Sequence, residues 1–307
     1  MPFDFDAVTA PHEICSLTVA REDDGLRLDA FLARRMPYRS RTVLQRLVRD
    51  GKATVDGARA RASRTVREGN IILVDLPKHP RDREGASLDL DILFEDEHLI
   101  AVDKPAGVPA HPAGKWVHRT VLTQLCRVLR ERGEAITPSL VHRLDRETSG
   151  VLLLAKDRAS LAHLARQMRR REIRKTYLAI VQGVLGTEGG LIAFPIGPAL
   201  PPARPPKQIV RADGRPAQTR YRVLEQRADT TLLEIAPLTG RQHQIRVHLA
   251  ALGHPVVGDA VYGRAGEIPY GRLMLHSLRL EFLHPFARHT LTIEAPPPRE
   301  FGLEGSP

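Results

Sequence analysis

The chain is 307 residues long and 42% hydrophobic, enough for a full core and, at roughly 150 residues per domain, for about two domains. Forty-six Lys and Arg against 36 Asp and Glu leave a formal charge of +10, a balance that favours a polyanionic partner. The two cysteines, Cys15 and Cys126, support neither a disulfide framework nor a paired-cysteine metal site, and no apolar run is long enough to span a membrane. Met1-Pro2-Phe3-Asp4-Phe5-Asp6 carries acids where a signal peptide carries bases, so a cytoplasmic protein in a reducing compartment is expected.

In chain order, the first feature is basic. Between residues 26 and 67, twelve Lys or Arg stand against three acids. On a helical wheel of 40–50, Arg41, Gln45, Arg46 and Arg49 fall on one side and Val43, Leu44, Leu47 and Val48 on the other. One face packs and the other is free to grip phosphates, which makes Arg41, Arg46 and Arg49 candidate binding residues; an ordinary solvated face is the alternative. Residues 51–57 read as a strand closed by the Asp56-Gly57 turn, and 66–76 as a further strand. The polar stretch 78–87, with Pro80 and Gly85, reads as a linker.

Alternation over 88–92 predicts a strand, and 98–102 a second one. Lys104-Pro105 follows, where Pro fixes the backbone between strand and loop; Lys104 either contacts the site or is a surface lysine. Gly114-Lys115 leads to Trp116 and lacks a Gly-rich phosphate loop, so a nucleotide-triphosphate site is unsupported.

The stretch His142-Arg143-Leu144-Asp145-Arg146-Glu147-Thr148-Ser149-Gly150 then places a carboxylate among basic side chains, just before the apolar run Val151-Leu152-Leu153-Leu154-Ala155. A turn at the mouth of a buried strand displays a reactive group, and a neighbouring arginine keeps a carboxylate ionised, so Asp145 is the candidate nucleophile. Its bland alternative is a turn cap or surface ion pair.

Leu161, Leu164, Ala165 and Met168 form the stripe of a helix whose other side carries Arg166, Arg169 and Arg170. Residues 175–183 read as a strand with Tyr177 near its start, and 201–207, rich in Pro, as an exposed loop. Hairpins are expected from 219–226 with 231–236 and from 274–283 with 290–295. Between them, Thr239 with Gln242 reads as a capping box, and Gly253 followed by Pro255 as a helix stop, which would put Gln242 and Arg246 one turn apart on a shared face. His243, His248 and His254 lack metal-site spacing and read as helix-surface or packing histidines. Strand content and hairpin connections together argue for an α+β fold with a mixed or antiparallel sheet.

Taken together, these segments resemble the pseudouridine synthases of the ribosomal large-subunit type. The resemblance runs from Leu93 to the end, through Val102-Asp103-Lys104-Pro105-Ala106-Gly107, the Asp145 segment, Gly214-Arg215-Pro216-Ala217-Gln218-Thr219 and Gly258-Asp259-Ala260-Val261-Tyr262-Gly263. It implies the α+β fold of that family, Asp145 as the catalytic aspartate, Tyr177 as the active-site tyrosine, Arg246 as the arginine paired with the aspartate, and Arg143 as the residue that enters the base stack. Arg246 is preferred by its place after Gln244-Ile245; the residues alone leave Arg241 and Arg246 both open. The two short helices and small sheet before the linker resemble the S-four-type RNA-binding domain, with Asp-Gly where that domain usually has Asn-Gly. The implied organisation is a small α/β RNA-binding domain at 14–77, a linker at 78–87 and a catalytic domain at 88–300.

The chemistry so implied is isomerisation of a uridine within RNA to pseudouridine, with no cofactor and no metal, because no atom is gained or lost. Asp145 would attack the ribose or the uracil ring, or abstract a ribose proton, and the sequence leaves these routes open. The expected partner is RNA, large-subunit ribosomal RNA by analogy and transfer RNA next, and the expected state is a monomer. Competing classes are an RNA-binding ribosome-assembly factor without the chemistry and a hydrolase with an aspartate nucleophile. The hydrolase lacks an evident second carboxylate or metal to activate water.

Overall fold

The basic N-terminal stretch and the strand-rich remainder fold as distinct units in a computed structural model that describes residues 14–36, 41–75, 88–112, 119–134, 136–199, 207–263 and 271–303. One unit comprises 1–89 with 111–137, the other 90–110 with 138–307. The linker 78–87, the Pro-rich 201–206 and Gly114-Lys115-Trp116 lie outside the described residues.

The first unit contains β1 (Ile14–Thr18), α1 (Leu28–Arg35), α2 (Arg41–Arg49), β2 (Ala53–Val55), β3 (Ala58–Arg59), β4 (Ile71–Asp75) and α3 (Val121–Glu131). Its four strands form an antiparallel sheet in the order β1-β4-β2-β3. Leu28, Phe31, Leu32, Leu44, Leu47 and Val48 from the two helices share a core with Leu17, Val55, Ile72 and Val74 from the strands. As the wheel predicts, α2 buries Leu44, Leu47 and Val48 and exposes Arg41, Arg46 and Arg49.

The turn between β2 and β3 has positive φ at both Asp56 and Gly57, as a two-residue hairpin turn of matching twist requires. Strand β4 starts at Ile71, later than expected, because Gly69 turns the chain with φ 83° just before it. Strand β1 carries no strong local signal and exists through its pairing with β4, Leu17 opposite Ile72. Helix α3 is closed at its start by a capping box between Thr120 and Thr123 and buries Val121, Leu125, Cys126 and Leu129.

The second unit contains β5 (Asp91–Glu95), β6 (Leu99–Lys104), β7 (Ser139–Leu140), β8 (Ser149–Ala155), α4 (Arg158–Arg170), β9 (Arg174–Gln182), β10 (Gly189–Ile192), β11 (Ile196–Pro198), β12 (Gln208–Val210), β13 (Thr219–Gln226), β14 (Thr230–Pro237), α5 (Gln244–Ala251), β15 (Leu275–Leu283) and β16 (Thr290–Glu294). The large sheet runs β10-β13-β14-β9-β15-β8-β6-β5, with β16 on β15 and β7 on β8, while β11 and β12 form a separate pair. Only β15 and β8 pair in parallel, so the sheet is mixed and the fold is α+β.

All seven residues of β8 are buried, which explains its continuous apolar run. Where β8 meets β15, Gly150 has φ 104°, and a side-chain carbon there would collide with the backbone of Ser277. Helix α4 is capped by Asp157, whose carboxylate accepts from Ser160 N at 2.8 Å. Both expected hairpins form, β13 with β14 and β15 with β16.

Two further local expectations fail. Residues 88–90 are not strand, and β5 begins at Asp91. Helix α5 begins at Gln244, and its N-cap is His243 in the left-handed region, φ 55°, so Thr239 and Gln242 form no capping box and Gln242 lies before the helix. The cause is Gln244, a buried amide. Its Oε1 accepts from Thr239 Oγ1 (2.7 Å) and Arg241 N (3.0 Å), and its Nε2 donates to Gln218 O (2.9 Å). These bonds satisfy the Arg241 N–H and the Thr239 hydroxyl by another route. No helix among the described residues is long and apolar enough to cross a membrane.

Candidate active site

Four segments of the second unit converge on Asp145. The turn before β8 carries it, with Thr148 N donating to Asp145 O at 3.2 Å. Lys104, at the end of β6, is fully buried, and its ammonium donates to Pro105 O (2.8 Å), Val108 O (2.9 Å) and Arg146 O (2.9 Å). One hydrogen is available for each carbonyl, so the lysine staples the 105–108 loop to the residue after Asp145. Burial pulls Lys104 down to about 7, opposed by the charges of Glu147 and Asp145. The surface-lysine alternative is therefore wrong.

Arg246 extends from α5 with its side chain 4% exposed, and its Nη1 donates to Asp145 Oδ2 at 3.2 Å. Its other edge grips Asp259, Nε to Oδ2 at 2.7 Å and Nη2 to Oδ1 at 2.8 Å. Asp259 also accepts from the backbone N–H groups of Val261 and Tyr262 at 2.9 and 3.0 Å. Burial by itself would lower the Arg246 pKa, but its bonds and charge interactions with the two aspartates raise it. For Asp259, burial pushes up and Arg246 overrides it, so its carboxyl lies below the usual carboxylate range. A carboxylate with four donors on it is a clamp for the arginine and a poor proton carrier.

Asp145 itself keeps 26% of its side chain exposed, so one face is open to a substrate. His243 lies beside it, Nε2 3.9 Å from Asp145 Oδ2, with Nδ1 2.9 Å from Tyr262 Oη. Tyr262 Oη accepts from Gln208 N at 2.9 Å and can donate its hydrogen to Nδ1, which suits a neutral imidazole with its proton on Nε2, toward Asp145. Burial lowers the His243 pKa, with the Asp145 charge acting the other way. The Tyr262 ring packs this group, 5.2 Å from the Arg246 guanidinium and edge-on to His243 at 5.7 Å.

Tyr177 sits on β9, opposite Ser277 of β15 and Ile235 of β14. It is buried, and burial pushes its hydroxyl up to about 12, with the charge of Asp145 adding to the effect. Asp145, Tyr177 and Arg246, far apart in the sequence, are thus brought together. Arg241 is not the partner of Asp145: its Nε donates to Pro216 O at 3.0 Å. Arg143 is exposed on the Asp145 turn. In the first unit, Arg41 is partly committed, because its Nη2 donates at 3.0 Å to the buried Asp29, which Gln45 also reaches at 2.8 Å.

The sequence reading misses the roles of His243, Asp259 and Tyr262. His243 was expected to be a helix-surface or packing residue and instead faces Asp145, whereas His248 is a packing residue bonded to Thr219 Oγ1 and Phe194 O. Asp259 stood inside a quoted motif with no role, and its only local signal is an acid directly after a glycine. Chemically, the arrangement presents one accessible carboxylate, oriented by a buried cation, next to a buried aromatic ring. That set suits covalent or base catalysis on a planar substrate.

The family described as RNA pseudouridylate synthase matches residues 98–251, and the S4 domain matches residues 26–72. The chain is 40% identical over 293 residues to ribosomal large subunit pseudouridine synthase D of Nitrosomonas europaea, covering 92% of this chain and 84% of that protein. It is 34% identical to ribosomal large subunit pseudouridine synthase C of Vibrio cholerae, covering 89% and 90%. Among solved structures, human RNA pseudouridylate synthase domain containing 1 superposes with a TM-score of 0.60 at 28% identity, over 70% of this chain and 86% of that one.

Proposed function

The chain belongs to the RNA pseudouridylate synthase family, with an S4 domain in its N-terminal part, and from that premise we propose that Asp145 is the carboxylate with which it isomerises uridines of large-subunit ribosomal RNA. The enzyme is an isomerase that converts uridine in RNA to pseudouridine. The observation that carries the proposal is the chain of charge from the buried Asp259 through the buried Arg246 to Asp145, the one of its two carboxylates that is partly open.

The target base leaves its stack at a cost of roughly a few kcal/mol, recovered through contacts in the pocket, and the exposed Arg143 fills the gap. Asp145, held by Arg246, initiates cleavage of the bond between the ribose and uracil nitrogen 1. The freed uracil turns within the pocket, a bond forms between the ribose and carbon 5, the hydrogen of carbon 5 leaves as a proton, and nitrogen 1, now free of the ribose, takes up a proton in its place. Tyr177 offers its ring as a stacking surface. With its hydroxyl at about 12 it is neutral at physiological pH and acts as a hydrogen-bonding group. Atoms are conserved, so the reaction needs no cofactor.

Residues 14–77 supply RNA affinity through the free face of α2, with Arg46 and Arg49 as its main phosphate contacts, and 88–300 supply catalysis. A cytoplasmic monomer fits this reading. Large-subunit ribosomal RNA is favoured over transfer RNA by what the relatives are named for.

The test is to incubate the pure protein with ribosomal RNA and look for uridines that become reactive to carbodiimide without a change of mass. Asp145→Asn is nearly isosteric and is expected to abolish the product while preserving RNA binding. Product from the variant would refute the role of Asp145. Mapping pseudouridines in cells with and without the gene identifies the RNA.

A further inference from the structure

Arg241, once released from the role of aspartate partner, belongs to a second group of cations on the same unit. Its Nε bond to Pro216 O holds it beside Arg215, and the charges acting on it are those of Arg215 and Arg171. Arg171 ends α4 in the left-handed region, φ 61°, in the turn that leads into β9, and both Arg171 and Arg215 are exposed. Lys175 follows on β9, two residues before Tyr177, so the two side chains share a face of the strand about 7 Å apart. A side-chain carbon on Gly240 would lie 3.9 Å from Lys175 Nζ, and the lysine's charge acts on His142, on the turn that bears Asp145.

Among the described residues, no carboxylate pairs with this group. The acids nearby are engaged elsewhere: Glu172 with Arg170 (3.9 Å), Asp213 with Arg211 (2.6 Å) and Glu281 with Arg279 (3.7 Å). Lys175 is mostly buried, and burial alone lowers its pKa, with no neighbouring acid to compensate. Like charges gathered without a counter-ion cost free energy in the empty protein, and an arriving anion relieves that cost. Arg41 in the first unit makes the contrast, its charge already met by Asp29.

We infer that Arg171, Lys175, Arg215 and Arg241 form an anion-binding rim that holds the phosphodiester backbone of the substrate RNA next to the target nucleotide. The inference rests on the RNA-modifying reading above and deepens it. Lys175, one nucleotide's reach from Tyr177, takes the phosphate nearest the flipped base, and the three arginines follow the strand outward. Through this rim the catalytic unit has its own grip on the RNA, independent of the arginines of α2.

The test uses the full chain with Arg171→Gln, Arg215→Gln and Lys175→Met, singly and together. It measures affinity for a ribosomal RNA fragment across a salt series, together with kcat and KM for pseudouridine formation. Each lost phosphate contact is expected to weaken binding about tenfold at low salt and to flatten the slope of log affinity against log salt by roughly 0.7 to 0.9. KM should rise more than kcat falls. Arg171 and Arg215 are exposed and can be changed without loss of folding, so they decide the question even if Lys175→Met proves unstable. A triple variant with wild-type affinity and salt slope overturns the rim. If the wild-type protein makes no pseudouridine while the variants still lose affinity and slope, the functional reading fails and the rim stands.

Discussion

Replacing Asp259 by Asn tests whether the open carboxylate owes its position to a buried one. The amide has nearly the same shape, and its oxygen can still accept from Val261 N, Tyr262 N and Arg246 Nη2, the three donors on Oδ1. Its nitrogen, however, replaces Oδ2 and meets Arg246 Nε, donor against donor at a separation of 2.7 Å in the wild type. Removing one partner of a buried ion pair typically costs about 3–5 kcal/mol, and Arg246 keeps Asp145 as a second partner, which points to about 3 kcal/mol. At about 2–4 °C per kcal/mol for a unit of this size, the melting temperature should fall by about 6–12 °C.

The effect on turnover is larger than stability alone implies. Arg246 can swing its Nε away from the new amide nitrogen, and Asp145, whose only arginine contact among the described residues is the 3.2 Å bond to Nη1, moves with it. A displacement of about 1 Å at a reacting group costs on the order of a hundredfold in rate. Thermal melts monitored by circular dichroism give the first number. Release of tritium from RNA carrying 5-tritiated uridine gives the second, because carbon 5 loses its hydrogen in the reaction. A variant with wild-type melting temperature and turnover would refute the claim that the Asp259 clamp positions Arg246.

Three further outcomes are expected. Tyr177→Phe keeps the ring and removes a hydroxyl that is neutral at pH 7, so it should lower turnover more than RNA affinity; equal turnover would mean that the ring alone matters. Burial holds His142 at about 3 and His276 at about 4, whereas in the unfolded chain they protonate near 6.5. Below about pH 6.5 the unfolded state therefore binds more protons, and each histidine should cost about 2 kcal/mol of stability by pH 5, measurable by urea titration and reduced in His276→Gln. Arg46→Gln with Arg49→Gln should flatten the salt dependence of RNA binding by roughly 0.7 to 0.9 per contact. Arg41→Gln should instead destabilise the first unit through Asp29, and the opposite pattern would reverse the roles assigned along α2.

The sequence by itself determined the elements whose signals are local. The continuous apolar run of β8, the two-faced pattern of α2 and α4, the Asp56-Gly57 turn and the two long hairpins all follow from periodicity and turn chemistry within a dozen residues. Asp145 stood out for the same reason, as an acid among bases at the mouth of a buried strand. Tertiary structure alone decided the start of α5, where the buried amide of Gln244 and its bond to Gln218 prevailed over a local capping pattern. Between Arg241 and Arg246, which the residues alone left open and the resemblance resolved toward Arg246, it set Arg246, 101 positions away, on Asp145, and it alone decided that Asp259 locks that arginine from the other side and that Lys104 reaches across 42 positions to Arg146. The physical reason is that hydrophobic period and turn preference are properties of a short segment, whereas the meeting of two charges depends on which strands and loops the sheet brings together. An isolated acid or base in a sequence is free to find any partner, and only burial beside a particular one makes the pairing obligatory.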